Sequence, residues 1–263
     1  AGIIPEDWEV KQLQDISIYR NGKSYEDKVD NAGDYYLITL DSLDIKGKLK
    51  PNHKKISRVD TPLSKNDLIM ILSDVAHGYF LGLTDLIPEN EKYILNQRVG
   101  VLKAMSDISP QFLSYFINHR QNYFKTTGQG SSQQNLSKGD IEKLPVPVPA
   151  LAEQEAIAAA LSDADALIAA LEELIAKKRQ IKQGAMQELL TGKRRLPGFE
   201  KKTGYRETEM GLIPNDWDVV PIASLLEKGT RITYGVVQPG ENVDSGVLFI
   251  RGGDIYAGKI SGE

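Results

Sequence analysis

LAEQEAIAAALSDADALIAALEELIAKKRQIKQGAMQELL, residues 151–190, is the stretch on which the fold of this chain turns. Ile157, Leu161, Ala164, Ile168, Leu171 and Ile175 follow one another at alternating spacings of four and three, the seam of a coiled coil sustained for about three heptads. Ala, Leu, Glu and Lys dominate the segment and favour helix intrinsically, and the many alanines let a second helix approach closely. Glu153 and Glu155 in the first turn, and Lys193, Arg194 and Arg195 beyond the last, complement the helix dipole. Gly192 and Pro197 supply the stop. At 1.5 Å per residue the rod would be about 60 Å long. Beyond Ile175 the seam meets Lys178 and Lys182, while Leu174, Ile181, Ala185, Leu189 and Leu190 continue an apolar stripe shifted sideways. So long an amphipathic helix requires a partner along its length.

On either side of this helix the chain repeats itself. Gly2-Ile-Ile-Pro-Glu-Asp-Trp-Glu-Val10 returns as Gly211-Leu-Ile-Pro-Asn-Asp-Trp-Asp-Val219, with six of nine positions identical. Asp44-Ile45 and Gly47-Lys48 return as Asp254-Ile255 and Gly258-Lys259 at nearly the same offset. Self-similarity at short periods marks a solenoid; a period of roughly 209 residues marks a duplicated domain. The expected organisation is α+β: a mixed α/β domain over residues 1–149, the long helix over 150–195, a linker over 196–210, and the start of a second, repeated domain over 211–263. The second copy reads as one cut short.

Within the first domain, Tyr35–Leu40, Leu68–Leu72 and a run from Tyr93 through Leu102 are strand-like, separated by Gly, Pro, Asn and Asp. Ser109-Pro110 opens a helix whose apolar face is Phe112, Leu113, Phe116, Tyr123 and Phe124. Ser137 and Asp140 form a capping box. The alternating prolines of Leu144–Pro149 hold an extended connection that closes the domain. Trp8 and Trp217 head their repeats and are expected to anchor domain cores.

A hydrophobic fraction of 41% supports ordinary buried cores, and no run resembles a signal peptide or a membrane span. The absence of cysteine excludes disulfides and thiolate sites, which fits the cytoplasm. Three isolated histidines give no metal-spaced pair, and neither a phosphate-binding glycine loop nor a nucleophile elbow is present. Catalysis by this chain is not expected. With a net charge of −4, any nucleic-acid binding must come from local patches.

Leu144-Pro-Val-Pro-Val-Pro-Ala-Leu-Ala-Glu-Gln154, followed by Ile157-Ala158, Leu161, Ile175, Lys177-Lys178 and Leu189-Leu-Thr-Gly-Lys193, resembles the specificity subunit of type I restriction-modification systems. The two openings, Ile4-Pro-Glu-Asp-Trp8 and Ile213-Pro-Asn-Asp-Trp217, extend the resemblance along the chain. It implies a non-catalytic reader of double-stranded DNA. Each recognition domain would read half of a bipartite target, and paired helices would set the gap between the halves. Methyltransferase subunits carrying S-adenosylmethionine would dock on it, and ATP-dependent restriction subunits, with their magnesium, would join. Without a second long helix, two copies would pair as a homodimer through the helix seam. A rival reading is a coiled-coil scaffold that binds protein and not DNA.

Residue type selects the DNA-contacting candidates. Lys46, Lys48, Lys50, Lys54, Lys55 and Arg58 form a basic run without an acidic residue from Ile45 to Val59, suited to phosphate contacts. Gln129, Gln133, Gln134 and Asn135, with Lys138 just beyond, lie in and after a polar loop, and their amides suit adenine edges. His77 and Tyr79, in a loop after a strand, are expected to project from the sheet end. Asn96-Gln97-Arg98, placed on a strand, resembles a recurrent phrase of the family and is better explained by fold maintenance than by binding.

Overall fold

Leu68-Ile-Met-Ile71 is buried along its whole length because its side chains serve two cores at once. Leu68 and Met70 belong to one apolar cluster and Ile69 and Ile71 to another, as the two-residue period of a strand requires. The computed structural model describes residues 4–75, 79–130, 133–235, 246, 249–256 and 258–260. These form two compact units, Ala1–Ala176 and Lys177–Glu263.

In the first unit, β1 (Glu9–Gln12) leads into a short helix α1 (Leu13–Ile16) and β2 (Ser17–Asn21), then β3 (Tyr35–Ile38), β4 (Lys54–Ile56) and β5 (Leu68–Ile71). There follow β6 (Ser73–Val75), β7 (Thr84–Leu86), β8 (Tyr93–Leu95) and β9 (Val99–Ala104). Helices α2 (Pro110–His119) and α3 (Gln121–Thr127), β10 (Gln133–Asn135), α4 (Lys138–Glu142), β11 (Pro145–Val148) and the long helix α5 (Leu151–Leu189) complete the series. An antiparallel sheet of order β2-β9-β5-β7 lies at the centre. One face packs on the helices through Leu13, Leu113, Ile117, Phe124 and Ile141. The other packs on a second sheet, β4-β3-β8, through Ile38, Tyr93 and Leu95.

Local signals set the element ends. Ser109 Oγ accepts from Phe112 N at 3.3 Å and Pro110 occupies the first turn of α2. Ser137 and Asp140 exchange the two bonds of the capping box at 3.2 and 2.8 Å. The prolines of β11 pair antiparallel with β1, from Glu9 opposite Val148 to Gln12 opposite Pro145. One expectation fails: the run from Tyr93 through Leu102 is two strands in different sheets. The chain turns at Asn96–Arg98, where Arg98 has a φ of 65°. Asn96 explains the turn. Fully buried, it accepts from Tyr25 N at 2.9 Å and donates to Glu26 at 3.3 Å, a structural role.

Helix α5 is seated by its first turns. Gln154 is 0% exposed; its Oε1 accepts from Ser109 N at 2.9 Å, and its Nε2 donates to Pro149 O at 2.9 Å and Asp107 O at 3.2 Å. Ala158, one turn on, is also buried. Past that point, the seam residues Leu161, Ile168, Leu171 and Ile175 are 43–53% exposed and nothing among the described residues covers them.

In the second unit, β12 (Tyr205–Thr208) pairs with β13 (Gly211–Pro214), and β14 (Ile255–Tyr256) with β15 (Lys259–Ile260). The weaker echo repeats in structure too: Gly47 and Gly258 hold the same left-handed turn, with φ of 77° and 75°. The tryptophans depart from expectation. Both are half-buried and outside the apolar clusters. Trp217 instead carries Arg195, whose guanidinium lies 5.4 Å from its ring centre.

Gln154→Ala leaves a buried N–H and two carbonyls without partners, at a cost of about 2 kcal/mol. Thermal denaturation should show a Tm roughly 4–8 °C lower. An unchanged Tm would mean that the helix is seated by other contacts.

Candidate functional site

At one end of the central sheet, β6 and β10 form a two-stranded antiparallel ribbon. Ser73 lies opposite Asn135, Asp74 opposite Gln134 and Val75 opposite Gln133. The polar loop expected around residues 128–135 is therefore partly a strand. It is drawn into pairing by Leu136 N donating to Leu72 O at 2.8 Å and by Gln129 and Asn135 exchanging backbone bonds at 3.0 and 2.9 Å. Gly130, with a φ of 115°, makes the turn; a Cβ there would stand 2.1 Å from Gln133 O.

Asn135 spends its side chain within the ribbon, against the Ser73 hydroxyl and Gln133 O. The amides of Gln129, Gln133 and Gln134 have no internal partner among the described residues. Tyr79 is exposed with Lys125 Nζ 4.7 Å above its ring. Lys50 joins the rim of a cavity of about 180 Å³ with Ser73, Asp74 and Phe80, beside the ribbon. Three segments chosen separately in the sequence thus meet at one place. Lys138 sits in α4 with Glu142 at 3.4 Å, and His77 lies outside the described residues.

The basic run divides. Asp44 Oδ1 accepts from the N–H groups of Lys46 and Lys48 at 2.8 and 2.9 Å and shapes the turn they stand on. From it Lys46 Nζ reaches Glu172 at 3.0 Å and Lys48 Nζ reaches Asp165 at 3.5 Å, both carboxylates on helix α5. Tyr115 OH donates to the same Asp165 at 2.9 Å. Burial, then this bond, push its phenol up to about 12. These exposed ion pairs are screened by salt and align the helix more than they stabilise it. Lys50, Lys54, Lys55 and Arg58 are exposed and have no carboxylate partner among the described residues. Lys54 and Lys55 stand on the edge strand β4.

Sequence reading missed this latch, although Ala158, Asp165 and Glu172 recur every seven residues and so share one helix face. It also missed Lys125, which no local pattern sets beside Tyr79.

Between the lysines, His53 packs on Tyr36 and Tyr93 at 5.7 and 5.8 Å. Burial lowers its pKa below the ordinary 6.5. The unfolded chain then takes up this proton more readily, so the neutral ring favours folding above 6.5 and that contribution falls away as pH drops below it. Urea titrations of His53→Phe and the parent at several pH values should show a shallower loss of stability on acidification in the variant. Parallel curves would contradict it.

The first unit is a layered α+β globule with a polar ribbon at its rim, ion-paired to a long helix whose apolar seam is exposed among the described residues. The model of the family described as type I restriction modification DNA specificity domain matches residues 5–183. The chain belongs to that family. It is 26% identical over 264 residues to the type I restriction enzyme MjaVIII specificity subunit of Methanocaldococcus jannaschii, covering 99% of this chain and 58% of that one. It is also similar to the EcoBI specificity subunit of Escherichia coli, 26% identical over 77% of this chain and 47% of that one. The chain spans about three-fifths of the length of the M. jannaschii relatives it matches. The fold is shared with a chain from a solved type I R-M system at a TM-score of 0.57 and 16% identity, over 71% of this chain and 46% of that one.

Proposed function

We propose that this chain reads DNA sequence as the specificity subunit of a type I restriction-modification assembly and does no chemistry itself. The observation that carries this reading is the β6–β10 ribbon, where unpartnered amides of Gln129, Gln133 and Gln134 meet Tyr79, Lys125 and Lys50. Amides read base edges in the major groove, and cations hold the backbone. Lys54, Lys55 and Arg58 add phosphate contacts, while Lys46 and Lys48 serve the helix.

Helix α5 sets the gap between two half-sites and docks the methyltransferase subunits. Its open seam, Ile157 through Ile175, supports pairing with a second copy along the helix. S-adenosylmethionine, ATP and magnesium belong to the partner subunits, and the assembly acts in the cytoplasm.

Binding to duplexes that carry the methylated site from cells expressing this protein tests the reading. Lys54→Gln and Lys55→Gln should each reduce the salt slope of binding by about 1, and Lys46→Gln and Lys48→Gln should leave it unchanged. Gln133→Ala and Gln134→Ala should narrow the preference over a mismatched site by about 1–3 kcal/mol at an unchanged slope. Salt-insensitive binding to protein alone would favour the scaffold. Light scattering should report a dimer that Leu161→Glu with Ile168→Glu converts to monomer; a monomeric parent would remove the pairing.

A further inference from the structure

The turn Asn96-Gln97-Arg98 holds more than the fold needs. Asn96 is buried and makes the hydrogen bonds that shape the turn. Arg98 is exposed, with neither a carboxylate nor an aromatic ring as partner among the described residues. Its φ of 65° lies in the left-handed region, which is unfavourable for any residue with a Cβ. Glycine takes that conformation freely and would serve a turn alone. A long cation in this place points to a contact outside the chain.

The turn is fastened to the β6–β10 ribbon. Arg98 O accepts from Leu72 N at 2.9 Å, and Leu72 O accepts from Leu136 N at 2.8 Å. Leu72 and Leu136 adjoin Ser73 and Asn135, which face each other across the ribbon. One residue, Leu72, therefore joins the backbone of Arg98 to both ribbon strands. The turn is also held from two other sides. Asn96 N donates to Ile38 O at 2.9 Å, at the end of β3, and Gly22 N donates to Val99 O at 3.0 Å, just past the end of β2. Gly22 comes so close that a Cβ on it would stand 1.9 Å from Asn96 O. The position of residue 98 relative to the ribbon is thus fixed by backbone bonds, as a contact with a base edge requires.

The ribbon itself supplies amides. Gln129, Gln133 and Gln134 suit the mixed donor and acceptor edge of adenine, whereas guanine presents two acceptors, N7 and O6, and is met by a pair of donors. Two other cations of this region are engaged: Lys23 Nζ lies 3.6 Å from Asp60, and Lys125 Nζ lies 4.7 Å from the Tyr79 ring centre. Arg98 brings a planar fork of donors that no internal partner among the described residues occupies.

We propose that Arg98 reads a guanine next to the bases read by the ribbon, donating two hydrogen bonds to N7 and O6. This inference rests on the ribbon being the DNA-reading site and adds a fixed guanidinium to its amides.

The full chain, assembled with its methyltransferase subunits, is titrated by anisotropy with a duplex carrying its modified site and with duplexes in which each G·C pair of that site is replaced in turn. Arg98→Gly should keep the parent's Tm and lose about 5- to 150-fold of discrimination at a single G·C pair, with an unchanged salt slope. Arg98→Asn also tolerates the left-handed region and lacks the guanidinium, so it should behave alike. Discrimination kept at every pair by both variants would overturn the proposal. So would a salt slope lowered by about 1 with discrimination intact, which marks a phosphate contact, or a uniform loss of affinity with a lowered Tm in both, which marks a structural role. A parent that prefers no duplex, or a preference untouched by Gln133→Ala and Gln134→Ala, removes the ribbon reading and this inference with it. Amide variants that relax the preference while both Arg98 variants relax nothing remove the guanine contact alone.

Discussion

Gln154 is the point on which the first unit depends. A primary amide has two donors and two acceptor sites, and burying it is tolerable only when they are met. Here one buried amide ties the N–H that opens α2 and the carbonyls of Asp107 and Pro149 to the first turn of α5. Because those partners are backbone groups of two separate segments, one ahead of α2 and one ahead of α5, the amide fixes direction as well as position. A hydrophobic contact such as Ala158 supplies burial without direction.

Once that end is fixed, the faces of the helix have separate duties. Asp165 and Glu172 fall on the side facing the globule, where Lys46, Lys48 and Tyr115 meet them. The apolar seam is rotated away and stays open. Had the helix lain down on its apolar side, the seam would have been spent on the globule and nothing would remain for assembly. Polar docking of an amphipathic helix is a weak contact per residue, and it leaves the stronger hydrophobic face free.

The same division explains the basic run. Six cations within thirteen residues look like one patch in a linear reading, but the turn at Asp44 sends the first two toward α5 and β4 carries Lys54 and Lys55 to a sheet edge. A single run of charge in sequence became two separate surfaces. The polar loop shows the converse: Ser73–Val75 and Gln133–Asn135, far apart in the chain, became one ribbon because Leu72 and Leu136 pair beside it.

The sequence by itself determined what depends on neighbours along the chain. The period of the long helix, the cap at Ser109, the box at Ser137 and Asp140 and the extended prolines are legible because their interactions span a few residues. Tertiary structure decided which face of the helix is covered, where the run through Asn96 breaks, and what the tryptophans touch. Those outcomes follow from burial and charge pairing between residues dozens of positions apart, such as Lys46 with Glu172 or Tyr25 with Asn96, and no local pattern encodes that meeting.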